Sequence, residues 1–140
     1  MLRVEMNIKE LHQQFPSPDW PEFLDAQLSG TTYVLRLHVN PDIRWFTGHF
    51  PEQPILAGVV QTHWAVELGK LLFDITQDVL RIDNLKFQSV ILPGQTLHLI
   101  LDYLPETNTL KFSYRSTDLN FSEGKFLFQS QAMHEQVVEK

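Results

Sequence analysis

One change of period constrains this chain more than any other feature. From Ala57 to about Phe73 no proline intervenes, and Val60, Trp64, Leu68 and Leu71 recur at helical spacing. Almost every other patterned segment alternates with a period of two. In Thr31 to Asn40, Tyr33, Leu35, Leu37 and Val39 share one face, and Thr32, Val34, Arg36 and His38 the other. Val79 to Gln88, Gln95 to Leu104, Thr109 to Ser116 and Lys125 to Ala132 are also strand-like. Leu97, Leu99, Leu101 and Tyr103 alternate, as do Leu110, Phe112 and Tyr114. One long helix among strands implies an α+β layout, with the helix packed on one face of a meandering antiparallel sheet. Pro93-Gly94, Pro105 to Asn108 and Ser122 to Gly124 read as the turns.

The first 30 residues are harder to read. Pro16, Pro18 and Pro21 forbid a long helix across them, and a short helical turn is expected from Pro21 to Gln27, ended by Ser29-Gly30. They are treated as an N-terminal extension to a core spanning residues 31–135. All 140 residues fit a single domain, large enough to bury a core without disulfides or metal.

Composition narrows the function. Eleven Lys and Arg against 17 Asp and Glu give a net charge of −6, which argues against a general nucleic-acid binder. With no cysteine, thiol nucleophiles and thiolate metal sites are excluded. His12, His38, His98 and His134 have no metal-ligand spacing, and no HExxH is present, so no metal is expected. Neither a signal peptide nor a membrane span is legible: Ile55 to Phe73 is broken by Gln61, His63, Glu67 and Lys70. A cytoplasmic location is expected.

The chemistry concentrates in Trp45 to Glu67, WFTGHFPEQPILAGVVQTHWAVE. Here His49 sits in a loop shaped by Gly48, Pro51 and Pro54, directly before the helix. At the helix start Gly58 offers a backbone N–H without an intrahelical partner and without a side chain in the way. A substrate carbonyl can accept from that N–H, assisted by the helix dipole. Histidine suits proton transfer near neutrality. A base beside a carbonyl-polarising amide results.

These residues also carry a resemblance. GHFPEQPILAGV, Gly48 to Val59, is similar to the GHFPxxPIxPGV signature of the 3-hydroxyacyl-carrier-protein dehydratases of type II fatty acid synthesis. IDNLKFQSVILPGQ, Ile82 to Gln95, resembles that family's strand and turn. The resemblance implies a hotdog fold, an antiparallel sheet wrapped around one long helix. It also implies dehydration of a 3-hydroxyacyl thioester to the trans-2-enoyl form. His49 matches the family's catalytic His and Gly58 its carbonyl-binding amide. The family's second catalytic group is a carboxylate 14 residues after the His; here that position holds His63, and Ala57 replaces the usual Pro. VVQTHWA is closer to the dehydratases of aryl-polyene pathways. If His49 is the base, His63 is the acid, and Glu67, one turn further, is placed to favour its protonated form. Glu67 and Lys70 equally fit a solvated helix edge.

Trp45, Phe46 and Phe87 are candidates for lining an acyl tunnel, or for simple packing. No cofactor is implied beyond the phosphopantetheine that carries the substrate. The expected partner is an acidic acyl-carrier protein, with Arg44, Arg81 and Lys86 as docking candidates, and the expected assembly is a homodimer with the site at its interface. Two other readings stand beside this one. The first is a non-catalytic acyl-binding subunit of a heteromeric dehydratase, suggested by the missing carboxylate. The second is a hotdog thioesterase or hydratase.

Overall fold

A computed structural model describes residues 6–46 and 54–130. The elements run α1 (Ile8–Gln14), β1 (Glu22–Ser29), β2 (Thr32–His38), α2 (Gly58–Leu72), β3 (Val79–Phe87), β4 (Thr96–Leu104), β5 (Thr109–Arg115) and β6 (Asn120–Phe128). The strands form one antiparallel sheet in the order β1-β2-β4-β5-β6-β3. The expected helix and the strands β2, β3, β4 and β5 lie where their periodicity puts them, within a residue or so.

The sheet is not a simple meander. α2 carries the chain from β2 across to the far edge, where β3 pairs with β6, and β4 returns to pair with β2. Tyr33, Leu35, Leu37 and Val39 are buried on the inner face, as are Leu97, Leu99 and Leu101 and the aromatics Phe112, Tyr114, Phe126 and Phe128. Against them α2 sets Val60, Trp64, Ala65, Leu68 and Leu72, with Leu71 only partly covered. At Gly69 a Cβ would lie 2.2 Å from Leu110 Cδ2, so the missing side chain is what lets helix and sheet approach.

Three local expectations are corrected. The helical turn expected at Pro21 to Gln27 is strand β1, paired with β2 from Glu22↔His38 to Ser29↔Thr32. A bulge between Phe23 and Asp25 breaks the alternation that would have marked it. Ser122 to Gly124 is not a turn but lies inside β6, which begins at Asn120 rather than Lys125. Gly124 serves packing there: a Cβ would stand 2.8 Å from Phe112 Cε2. Finally, the first 30 residues hold a short helix, α1. Asn7 and Glu10 form a reciprocal capping box at its start. Its Leu11, together with Phe15 and Phe23, is buried in the same core as the sheet.

Among the described residues, no helix is long and apolar enough to cross a membrane.

Candidate active site

The start of α2 is the geometric centre of the candidate site. Ala57 is extended (φ −62°, ψ 147°) and caps the helix without a side-chain hydrogen bond. Its carbonyl accepts from the Val60 and Gln61 N–H groups at 3.1 Å. Among the described residues, the Gly58 N–H finds no acceptor, as expected for the first residue of a helix with no capping side chain. The α-carbon of Gly58 lies under the ring of Phe87, the last residue of β3: a Cβ here would be 2.7 Å from Cζ and 2.8 Å from Cε1. Two candidates nominated separately from the sequence, the carbonyl-binding amide and a tunnel aromatic, are therefore in contact. A side chain at 58 would push the ring away.

The segment leading into the helix is held from below. Gln61 is 3% exposed, although it is a polar residue on an otherwise apolar helix face. Its Nε2 donates to the Leu56 carbonyl (3.0 Å), and its Oε1 accepts from the buried Ser122 hydroxyl (2.6 Å). Its backbone carbonyl accepts from Tyr114 Oη (2.7 Å). Burial raises the pKa of Tyr114 well above the usual phenol value, which keeps it a neutral donor. Leu56 is tied again by its N–H to the Ile91 carbonyl (2.8 Å). This network joins the loop before α2 to β5 and β6, and satisfies polar groups whose burial would otherwise be costly. Sequence reading missed it. The available signal was Gln61 itself, a polar residue between Val60 and Trp64 on the apolar stripe.

His63 is exposed on α2 one turn beyond Val59. Its ring lies 5.5 Å from that of Trp20, tilted by 34°. Trp20 also stacks on Trp64 (6.2 Å, 27°) and meets Phe15 edge-on at 4.4 Å. Among the described residues, no hydrogen bond or ion pair joins His63 to Glu67, which is also exposed. The neighbour the structure gives His63 is thus an indole from the proline-rich segment, which sequence spacing cannot reveal.

Trp20 is fixed by its surroundings. The Asp19 carbonyl accepts from both Trp45 Nε1 (2.7 Å) and Trp64 Nε1 (3.1 Å). Arg44 pairs with the Asp19 carboxylate, and its N–H donates to the Pro18 carbonyl. Trp45 is therefore half-buried as a brace, while Phe46 is buried in the main core. Arg81 holds both carboxylate oxygens of Asp83 at 3.0 Å. Lys86 is exposed. His49 lies outside the described residues.

At the sheet edge, the inner-face side chains run past the end of the helix's cover. Leu80, Ile82, Leu85 and Phe87 of β3 are exposed, Phe87 by 50%, and Val59 on α2 beside them by 75%. Exposed apolar residues on an edge strand are ones that proteins ordinarily keep covered.

One antiparallel sheet packed on one long helix defines a hotdog fold. The family model of ApeI-like dehydratases, described as ApeI dehydratase, matches residues 25–125, and the chain belongs to that family. Among solved structures it is similar to the dehydratase heterocomplex ApeI:P from Xenorhabdus doucetiae, at 29% identity and a TM-score of 0.74, covering 79% of this chain and 99% of that one. It is also similar to an uncharacterized protein from Erwinia carotovora subsp. atroseptica, at 35% identity and a TM-score of 0.69, covering 81% and 98%. The 3-hydroxyacyl-acyl-carrier-protein dehydratase FabZ of Pseudoalteromonas translucida is 36% identical over 74 residues, 46% of this chain and 49% of that protein. The chain spans about half the length of the FabZ relatives it matches.

Proposed function

We propose that this protein dehydrates a 3-hydroxyacyl thioester, delivered on an acyl-carrier protein, to the trans-2-enoyl thioester, in fatty-acid or polyene-lipid synthesis. The observation that carries the reading is the Gly58 N–H, without an acceptor among the described residues, at a helix start packed against Phe87 in a chain of a dehydratase family. A thioester carbonyl accepting from that N–H gains the helix-dipole field where negative charge develops. Neutral His49 removes the α-proton, breaking the C2–H bond. Protonated His63 gives its proton to the β-hydroxyl, the C3–O bond breaks, and water leaves as the C2=C3 bond forms. The reaction ends with His49 protonated and His63 neutral, and exchange with solvent restores both. Of the aromatic candidates, Phe87 is the one exposed beside Gly58 and is the candidate for guiding the acyl chain, whereas Trp45 and Phe46 are engaged in packing.

The active unit in this reading is a homodimer built on the apolar β3 edge, so that His49 of one copy works with His63 of the other. Val59 and Phe87, exposed on either side of Gly58, would be covered by it. A second reading keeps this chain as a non-catalytic acyl-binding subunit of a heteromeric dehydratase. It is favoured by the histidine at position 63 and by the likeness to a protein solved as a heterocomplex.

A single assay separates the readings. The purified protein is incubated with a 3-hydroxyacyl thioester while enoyl absorbance and free thiol are followed. Enoyl formation that is lost in both His49→Ala and His63→Ala is the expected result. Full turnover in His63→Ala refutes the acid role, and thiol release without enoyl product indicates a thioesterase. No reaction without a second subunit moves the assignment to the heteromeric reading.

A further inference from the structure

The acid proposed at position 63 stands on an exposed helix face, where a side chain ordinarily samples several rotamers. Proton transfer requires its ring to sit within hydrogen-bond reach of the leaving hydroxyl, so the rotamers must be narrowed. Among the described residues, no hydrogen bond or ion pair does this for His63. What does touch it is Trp20, with ring centroids 5.5 Å apart and planes tilted by 34°.

Two other histidines are held differently. His12 and His38 each spend a ring nitrogen on a protein oxygen, the Phe23 carbonyl at 3.0 Å and Thr96 Oγ1 at 2.9 Å. His63 is held by the flat of its ring instead. A hydrogen bond to a ring nitrogen selects one tautomer or occupies the site of the proton. Face packing does neither, because an indole face packs on neutral imidazole and also attracts imidazolium. Both nitrogens, on the ring edge, stay available while a proton is given and regained.

Trp20 is itself well anchored. Phe15 meets it edge-on at 4.4 Å, and Trp64 stacks on it at 6.2 Å. The carbonyl of Asp19, one residue earlier, accepts from the Trp45 and Trp64 indoles, and Arg44 pairs with the Asp19 carboxylate. Trp64 is fully buried and adjoins His63 in α2. The indole is therefore located relative to the very helix that carries the histidine. Trp20 also precedes the residues 25–125 that match the family model.

We infer that Trp20 is a positioning residue for the dehydration, holding the His63 ring by its face in the orientation from which the proton is given. The inference rests on the dehydratase reading and deepens it, because it makes the N-terminal segment part of the site.

The test combines kinetics on a 3-hydroxyacyl pantetheine thioester with proton NMR of the full-length protein, the His63 ring signals being assigned by their loss in His63→Gln. In Trp20→Leu, which keeps an apolar group but no ring, kcat is expected to fall about tenfold while KM stays within about twofold. The His63 ring signals should move downfield as the ring current of the indole is lost. Trp20→Phe restores an aromatic face and should keep kcat within about threefold of wild type. Unchanged kcat in Trp20→Leu overturns the proposal. So does an equal loss of kcat in both variants with the His63 signals unmoved, which would mark Trp20 as structural support only. Cross-relaxation between the Trp20 indole and the His63 ring in the wild type needs no variant, and its absence overturns the proposal even where Trp20→Leu fails to fold. No turnover by the wild type, with that cross-relaxation present, overturns the dehydratase reading and this role of Trp20 together, and leaves the contact itself standing.

Discussion

Replacing Gln61 by Leu probes the joint between the helix start and the sheet. Leu nearly matches Gln in volume, so the change is chemical rather than steric. It removes the hydrogen bond to the Leu56 carbonyl and the acceptor of the Ser122 hydroxyl, while the bond from Tyr114 to the Gln61 backbone carbonyl survives. The lost Leu56 bond is worth about 1 kcal/mol net, and the buried Ser122 hydroxyl left without its acceptor costs about 1–3 kcal/mol. Gln61→Leu should therefore destabilise by about 2–4 kcal/mol. Ser122→Ala alone leaves Gln61 Oε1 unsatisfied and should cost about 1–3 kcal/mol. The double variant removes both halves of that bond and strands neither, so the two changes should fall short of additivity by about 1–2 kcal/mol. Urea unfolding at one fixed protein concentration, comparing midpoints at constant slope, measures the cycle. Strict additivity would show that the Gln61–Ser122 contact does not couple the helix to β6, and would refute the reasoning.

Two further outcomes follow from the same geometry. Gly58→Ala should displace the half-exposed Phe87 ring at a cost of about 1 kcal/mol or less, because the ring can swing toward solvent, while lowering thioester turnover more than tenfold through the crowded amide. Comparing the melting temperature with kcat/KM separates the two effects. Tyr114 has a folded pKa raised by burial, so the native state holds that proton more tightly than the unfolded chain does. Its contribution is intact below about pH 10, the unfolded phenol value, and is lost as pH rises beyond it, at up to about 1.4 kcal/mol per pH unit. Tyr114→Phe should flatten that alkaline limb in a series of urea titrations.

Periodicity made α2, β2, β4 and β5 legible, because each presents one apolar face to one core and its apolar spacing runs unbroken along the element. β1 was hidden by its bulge at Phe23 to Asp25 and by the prolines before it. The start of β6 was hidden by Gly124, whose local signal of a turn is overridden by the ring of Phe112. The capping box of α1 was present as Asn7 and Glu10, but a seven-residue helix has too little pattern to stand out. Of the candidate site, the loop histidine and the helix glycine could be nominated from the residues themselves, and the histidine at 63 from the family resemblance. Their neighbours could not: Trp20 reaches His63 from 43 positions away, and Ser122 reaches Gln61 from 61 positions away.

The amino-acid sequence by itself determined the class of fold and nominated the segment proposed to carry the chemistry. Both rest on interactions between near neighbours, namely a helical stripe, alternating strands and a glycine opening a helix. Only the tertiary structure decided that β3 crosses to the far edge and leaves its apolar face open. It also decided that Phe87 roofs Gly58 and that Lys111 of β5 stands opposite Lys125 of β6. Strand order and register are set by which distant surfaces bury each other, and no local pattern encodes that choice.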